Sequence, residues 1–240
     1  VVYFILAIFP GQISSPDYTT QNLRNRFQPP SAQNLLGTDE VGRDILTRMV
    51  WGTRTSLTIS LTAVAIAAVI GVAIGVAAGF FGGVIDNILM RIMDILMAIP
   101  NLLLGISIAA ALGSSITNLT IAIAVGNIAA FARIARSSVM TVRDKEYIES
   151  AVSTGANNWR IIWRYVLPNA LAPIIVQISM AIAGAILNIS GLSFVGLGVP
   201  APTPEWGAML SAGRGYIRDY WWVITRSEEH TSELQSLTNL

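Results

Sequence analysis

The sequence predicts an all-α protein, a polytopic transmembrane helical bundle, and three observations support this fold class. Hydrophobic residues make up 53% of the 240 residues, whereas charged residues make up only 12%, against roughly 25% in soluble domains. The mean hydropathy is +0.59. The apolar residues also form long uncharged blocks, and a helix needs about 20 such residues to cross a bilayer. A chain of this composition belongs in a membrane.

The first element is a short apolar run, residues 1–9, which stops at Pro10. Crossing a bilayer takes about 20 residues, so this run is too short to span by itself. It has neither the basic start nor the small-residue cleavage site of a signal peptide. We therefore expect residues 1–10 to be the end of a first transmembrane helix that starts before Val1.

The next stretch, residues 11–56, is polar and rich in turn-forming residues at its start, so we expect an extracytoplasmic loop. The first complete span follows from Leu57 to Phe80, which contains no charged residue. Small residues recur there every four positions, namely Ala63, Ala67, Gly71, Gly75 and Gly79. Such a stripe predicts close helix packing, and a sliding contact in a moving transporter is the alternative.

Three further spans are expected at residues 84–112, 116–132 and 166–192. In the first of these, Arg91 and Asp94 lie three residues apart and can pair on one helix face. Alternatively, Asp94 faces a solute pathway, since ionisable groups at membrane depth usually face protein or a cavity. Pro168 and Pro173 are expected in the first turns of the last span, where proline is tolerated best.

The segment between the last two spans is the most charged part of the chain. Residues 133–164 carry six basic and three acidic side chains, which by the positive-inside rule predicts a cytoplasmic loop, 133–165. Residues 11–54 also carry five arginines, so charge counting over all loops does not decide the topology. The short loop 113–118 has no basic residue, and this contrast favours the cytoplasmic assignment.

The end of the chain changes character. Aromatic residues cluster between Tyr216 and Trp222, as at a membrane interface, but residues 226–240 are polar throughout and contain His230, the single histidine. A polar segment of this kind cannot cross a bilayer. We interpret 226–240 as a non-native tail and leave it out of the fold prediction.

Composition also excludes several functions. The chain has no cysteine, which excludes disulfides and thiolate chemistry, and its net charge of +1 argues against nucleic acid as a partner. It has a single lysine, Lys145, and no P-loop sequence. No serine, histidine and aspartate set is present outside the suspect tail. We therefore expect no enzyme activity, no metal and no cofactor bound by this chain.

Within 133–165 the sequence predicts a short amphipathic helix. Thr141 or Asp144 can cap its start, Ile148, Ala151 and Val152 share a face, and Gly155 can end it. The residues Glu149, Ser150, Ala151, Gly155, Leu167 and Pro168 resemble, in type and spacing, the ATPase-coupling motif of ABC importer permeases. Ser150 and Tyr165 depart from the usual alanine and isoleucine of that motif.

A second motif lies before the first complete span. Residues 36–44, continuing through Arg48, Gly52, Arg54 and Leu57, are similar to a signature of the dipeptide, oligopeptide and nickel permease family. Its core comprises Gly37, Thr38, Asp39, Gly42, Arg43 and Asp44. The glycines permit tight turns, and the charged groups can pair with one another. Either this block belongs to the outer gate or the dock for a binding protein, or it is a self-satisfied structural unit. Residues 86–100 and 191–207 also resemble this family.

The resemblance implies a permease of the type I ABC importer kind, with about six helices when complete and truncated here at both ends. Residues 57–225 would be its transmembrane domain, in a bacterial or archaeal inner membrane. The implied partners are a homologous permease forming a heterodimer, two ABC ATPase subunits that bind ATP and magnesium, an extracytoplasmic solute-binding protein and membrane lipid. The implied solutes are di- or oligopeptides, or a small solute such as a nickel chelate. An ion- or proton-coupled secondary transporter is the alternative.

Overall fold

The computed structural model describes residues 2–15, 17–216, 218–220 and 222–223. Within these ranges the regular secondary structure is helical, apart from one isolated antiparallel bridge between Thr38 and Asp44. The predicted all-α class is therefore confirmed. The proposed non-native tail, 226–240, lies outside the described residues, and that interpretation stays a prediction.

Several of the helices are long enough and apolar enough to cross a membrane. The helices are α1 Val2–Ile8, α2 Pro10–Ile13, α3 Ile45–Phe81, α4 Gly83–Ala98, α5 Asn101–Leu112, α6 Ile116–Arg143, α7 Glu146–Ser153, α8 Asn158–Ile161, α9 Leu167–Phe194 and α10 Trp206–Gly213. A π-helical turn, Ile162–Val166, joins α8 to α9. Within the described part of the chain, three continuous runs qualify as membrane spans, namely α3, α6 and the run from Asn158 to Phe194, and the bent pair of α4 and α5 is a fourth candidate.

Helix α3 begins well before the predicted start of its span. The sequence predicted a loop to residue 56 and a span from Leu57, but the helix starts at Ile45 and has 37 residues. Asp44 caps this start, because its Oδ2 accepts the backbone N–H of Thr47 at 2.7 Å. Gly52 therefore lies inside a helix rather than in a turn, and a Cβ there would meet the Trp206 ring at 3.1 Å.

The single span predicted over residues 84–112 is wrong in one respect. Its two halves, α4 and α5, are bent by 86° at the break between them. Pro100 explains the break, since proline lacks the backbone N–H and disfavours helical geometry in the residue before it. Ile99 accordingly has φ −97° and ψ 125°, an extended conformation.

The last long helical run also starts earlier than predicted. It runs from Asn158 instead of residue 166, which places Pro168 in its interior rather than in its first turn. The π-helical turn Ile162–Val166 precedes this proline, and the N–H of Leu167 bonds the carbonyl of Ile162 five residues back. The wider turn lets the run continue past a residue that cannot donate a backbone hydrogen bond.

The chain forms two compact units. The first comprises described residues within Val1–Thr62, Gly105–Thr120 and Ala183–Leu240, and the second comprises Ala63–Leu104 and Ile121–Ile182. In the first unit Ile45, Met49 and Val223 form a small core that Phe27, Tyr220 and Trp222 cover. Phe27 stacks on Tyr220 with ring centroids 4.1 Å apart.

In the second unit the small-residue stripe of α3 packs against α6. A Cβ on Gly75 would lie 2.3 Å from the carbonyl oxygen of Ala132, and one on Gly71 would lie 2.6 Å from that of Ile128. Ala63 and Ala67 of the same stripe are fully buried. The packing interpretation of the stripe is therefore confirmed, because only residues without a larger side chain allow this backbone approach.

Candidate functional site

The predicted coupling residues lie on α7 and on the helical run that follows it, together called the α7 segment (residues 146–168). Its start differs from the prediction. Helix α6 continues to Arg143, so Thr141 lies inside α6, and its hydroxyl donates to the carbonyl of Ser137 at 3.0 Å. Lys145 occupies the N-cap of α7 and makes no side-chain capping bond, so neither Thr141 nor Asp144 caps this helix.

The end of α7 follows the prediction. Gly155 has φ +78°, a left-handed conformation that favours glycine. Its N–H bonds the carbonyl of Val152 at 2.9 Å, and the N–H of Ala156 bonds the carbonyl of Ala151 at 3.1 Å. This pair of bonds is a Schellman motif, which ends the helix and turns the chain towards α8.

One face of α7 is anchored in the core of the second unit. Ile148 is 4% exposed and Ala151 is 8% exposed, and both pack in one buried cluster with Val139 of α6 and with Val166. Leu167 packs against the same cluster. Val152 was expected on this face, but it is 58% exposed. The anchor therefore consists of Ile148 and Ala151, joined to α6 and α9 through apolar contacts.

The opposite face of α7 is open. We call the exposed residues Glu146, Tyr147, Glu149, Ser150, Val152 and Ser153 the α7 surface. Among the described residues, the Glu149 carboxylate has no hydrogen bond and no ion pair. Ser150 is satisfied locally, since its hydroxyl donates to the carbonyl of Glu146 at 2.9 Å. Pro168 is also exposed. The predicted motif thus combines one buried residue, Ala151, with a charged face that no other part of this unit covers.

The second predicted site, Gly37 to Asp44, is called the 37–44 block. Its centre is Asp39, which is 6% exposed. Asp39 Oδ1 accepts the backbone N–H groups of Val41 at 3.0 Å and of Arg43 at 2.9 Å. Its Oδ2 accepts from Arg43 Nε at 2.6 Å and lies 3.6 Å from Arg48 Nε. One carboxylate therefore closes the turn and neutralises two arginines.

Three other members of the block, Thr38, Gly42 and Gly37, are also held by contacts with the segment before the block. Thr38 is 2% exposed, and its hydroxyl oxygen accepts the N–H of Gln28 at 2.8 Å. Gly42 has φ +78°, and a Cβ there would lie 1.9 Å from the carbonyl oxygen of Asn22. Gly37 is confined in the same way, because a Cβ there would lie 2.5 Å from the carbonyl oxygen of Gln28. These contacts fit the structural alternative for this block better than an open docking surface.

Sequence reasoning missed the role of Glu205 in the first unit. Glu205 is fully buried and caps α10, where its carboxylate accepts the N–H groups of Gly207 and Ala208, each at 2.9 Å. It also accepts from the Ser56 hydroxyl at 3.3 Å. The neighbouring Trp206 donates to the carbonyl of Met49 at 3.2 Å. Glu205 therefore ties α10 to α3, but its partner Ser56 is distant in sequence and gave no local signal.

The predicted pair of Arg91 and Asp94 is wrong. Asp94 accepts from Arg133 Nη2 of α6 at 2.6 Å, and both of these side chains are 46% exposed. Arg91 is exposed and takes no part in this ion pair. A second bond of the same kind joins Arg136 Nη2 to Asp86 Oδ2 at 2.6 Å. Arg133 and Arg136 were assigned to a loop, but they lie on α6 and hold α4 against it.

Comparison with known proteins gives a consistent result. Residues 71–224 match the family described as binding-protein-dependent transport system inner membrane component. The chain is 45% identical over 222 residues to the dipeptide transport system permease protein DppC of Alkalihalophilus pseudofirmus, covering 92% of this chain and 73% of the relative. It is 41% identical over 225 residues to the di/tripeptide transport system permease protein DppC of Pseudomonas aeruginosa, covering 91% and 74%.

The fold has a solved counterpart. A chain from the MetNI methionine ABC transporter, in inward-facing conformations, superposes with a TM-score of 0.64 at 18% identity. The match covers 81% of this chain and 94% of that chain. At this identity the likeness concerns the fold alone.

Proposed function

Because the chain belongs to the family of binding-protein-dependent transport system inner membrane components, we propose that it conducts short peptides across the membrane. The chain is a permease subunit of an ABC importer and not an enzyme. None of the matches reported above supports the alternative of an ion- or proton-coupled secondary transporter. The energy for transport therefore comes from other subunits.

The proposed solutes are dipeptides and tripeptides. Two relatives that share 45% and 41% of their aligned residues with this chain carry dipeptide and di/tripeptide in their names. Nickel chelates, the other solute class that the motif resemblance implied, receive no support from these two relatives. In an importer of this kind we expect the binding protein to select the solute and the permease to conduct it.

The proposed assembly contains a homologous second permease, two ATPase subunits and an extracytoplasmic solute-binding protein. ATP and magnesium would bind to the ATPase subunits. The α7 surface would lie on the cytoplasmic side and dock against an ATPase subunit. Its glutamates, Glu146 and Glu149, would then offer charged contacts to basic groups of that subunit.

The observation that carries this proposal is the two-sided character of α7. Its inner face is fixed by Ile148 and Ala151 to a cluster that includes Val139 and Val166, whereas its outer face leaves Glu149 exposed without a partner in the described residues. A helix held in this way moves together with α6 and α9 when its outer face is pushed. Force from an ATPase subunit would thereby reach α6, which precedes α7, and α9, which follows it.

Charge reversal at Glu149 tests the proposal. In the assembled transporter with its ATPase subunits and binding protein, Glu149→Arg should abolish the stimulation of ATP hydrolysis by peptide-loaded binding protein. Thermal stability should not change, because Glu149 is exposed and substitutions of this kind usually cost within about 0.5 kcal/mol. Stimulated ATP hydrolysis and the melting temperature are measured on the same preparation.

A matched control uses Asp219→Arg, a reversal at another exposed carboxylate of the described chain. That variant should retain full stimulation by peptide-loaded binding protein. Full stimulation in Glu149→Arg as well would show that the α7 surface does not contact the ATPase subunit, and the proposed coupling role would fail.

A further inference from the structure

A groove with a mixed polar and apolar lining and a volume of about 590 Å³ lies between α6 and α9 in the second unit, and we call it the α6–α9 groove. Five uncharged polar side chains line it, namely Ser137, Ser138, Thr141, Asn169 and Gln177, and its other lining residues are apolar. We infer that this groove is the wall that the permease contributes to the solute pathway, and that it receives the amide and carbonyl groups of the peptide backbone. The inference rests on the proposed function and adds to it the residues that the solute meets.

One of the polar side chains in the groove, Gln177, is unusual for its position in the sequence. Gln177 lies within the apolar run Asn158–Phe194, which is long enough to cross a membrane. Its side chain is half-buried and has no hydrogen-bond partner among the described residues. An unpaired polar side chain facing lipid is costly, so such residues within spans usually face protein or a water-filled cavity. Gln177 therefore indicates an aqueous surface on α9.

A second groove in the same unit shows what a surface suited to lipid looks like. It has a volume of about 500 Å³ and lies between α3 and the α8 to α9 run. Its lining consists of aliphatic and aromatic side chains, including Val69, Phe81 and Trp163. These residues match acyl chains in polarity, whereas half of the residues that line the groove between α6 and α9 are polar. The two grooves thus differ in the solvent to which each is suited.

The polar side chains of the α6–α9 groove suit a neutral peptide backbone. Ser138 and Thr141 donate their hydroxyl hydrogens to carbonyls of their own helix, at 2.9 and 3.0 Å, and Asn169 donates to the carbonyl of Tyr165 at 2.6 Å. Their oxygens therefore remain available to accept peptide N–H groups. The lining carries no charge, which keeps each contact weak enough for the solute to leave, as conduction requires.

The groove is also placed to respond to α7. Thr141 lies in the last turn of α6, directly before the α7 segment, and Asn169 follows that segment at the start of α9. The buried cluster that anchors Ile148 includes Val142, which also lines the groove. A displacement of α7 would therefore change the distance between the two walls of the groove.

The absence of cysteine from the chain allows a direct test. Single Gln177→Cys and Thr141→Cys variants are assembled with the ATPase subunits in inside-out vesicles and treated with a membrane-impermeant charged maleimide. Ile175→Cys is the matched control, because Ile175 lies on the same helix, is 57% exposed and does not line the groove. Both groove variants should react at least about tenfold faster than the control, since a thiol in apolar surroundings forms little thiolate.

A transport measurement completes the test. ATP-dependent uptake of a radiolabelled dipeptide should fall about fivefold in Gln177→Leu, the effect of losing one hydrogen bond, and should stay at the wild-type rate in Ile175→Leu. Equal maleimide rates at positions 175 and 177, with normal wild-type uptake, would overturn the groove assignment and leave the proposed function standing. Rapid labelling at position 177 without any ATP-dependent dipeptide uptake by the wild type would overturn both.

Discussion

The 37–44 block and the α7 segment are both marked by charged residues at fixed spacings, yet the structure uses those charges in opposite ways. In the block, Asp39 is 6% exposed and contacts two backbone N–H groups and two arginines. On α7, Glu149 is exposed and has no side-chain partner among the described residues. The Asp39 charge is therefore satisfied within its own unit, whereas the Glu149 charge has no partner among the described residues.

The difference follows from where the two carboxylates sit. Asp39 lies in a turn that Gly42 makes possible, so N–H groups two and four residues later point back at it. Burial then makes its ion pairs with Arg43 and Arg48 obligatory, because an unpaired buried charge is very costly. Glu149 lies on a helix whose opposite face is anchored, so its carboxylate points away from the buried cluster.

The largest effect should come from removing the centre of the block. Asp39→Ala leaves Arg48 buried without its carboxylate and leaves Arg43 with Glu40 alone, and breaking a buried ion pair in this way costs about 3–5 kcal/mol. We therefore expect a large fall in the free energy of unfolding of the detergent-solubilised chain, measured by denaturant titration.

The control for Asp39→Ala is Glu149→Ala, which removes the exposed carboxylate of α7. This control should change the free energy of unfolding by no more than about 0.5 kcal/mol. If both variants were equally stable, the block would not be a structural unit, and a docking role for Asp39 would again be the better explanation.

The next effect tests packing in the unit that carries α7. Gly75→Ala places a methyl group 2.3 Å from the carbonyl oxygen of Ala132, and overpacking of this kind costs about 1–3 kcal/mol. The melting temperature should fall accordingly. In contrast, Gly184→Ala adds a methyl group with no neighbour within 4 Å, and it should be neutral or stabilising by up to about 1 kcal/mol. A neutral Gly75→Ala would mean that α3 and α6 separate easily, as the sliding-contact alternative for the stripe requires.

Local features were predicted well from the sequence. The glycine turn at Gly155 and the stripe through Gly71 and Gly75 were correct, because each depends on residues one or a few turns apart. Helix boundaries were less accurate, since the capping bond of Asp44 and the π-helical turn before Pro168 let helices extend beyond their apolar stretch. In the site, an amphipathic helix that ends at Gly155 was expected, but the exposure of Val152 was not.

Contacts between distant parts of the chain could not be predicted in this way. Glu205 meets Ser56, and Asp94 meets Arg133 instead of its neighbour Arg91. Helical spacing made the local pair with Arg91 plausible, but the packing of α4 against α6 brings a better partner within reach. Choosing between local and distant partners requires the tertiary structure, which a single sequence does not supply.

The smallest effect should come from the ion pair between Asp94 and Arg133, the counterpart in the second unit of the buried pairs of the 37–44 block. Because both side chains are 46% exposed, we expect water to screen the pair and its coupling energy to be about 0.2–1 kcal/mol. A double-mutant cycle with Asp94→Asn and Arg133→Gln measures that energy, which should decrease further in 1 M salt, where the screening length is about 3 Å. A coupling energy above about 2 kcal/mol that did not respond to salt would show that the pair is excluded from water in the membrane. In that case the charges of Asp94 and Arg133 would be excluded from water, as the charge of Asp39 is. The contrast between the two units would then be limited to α7.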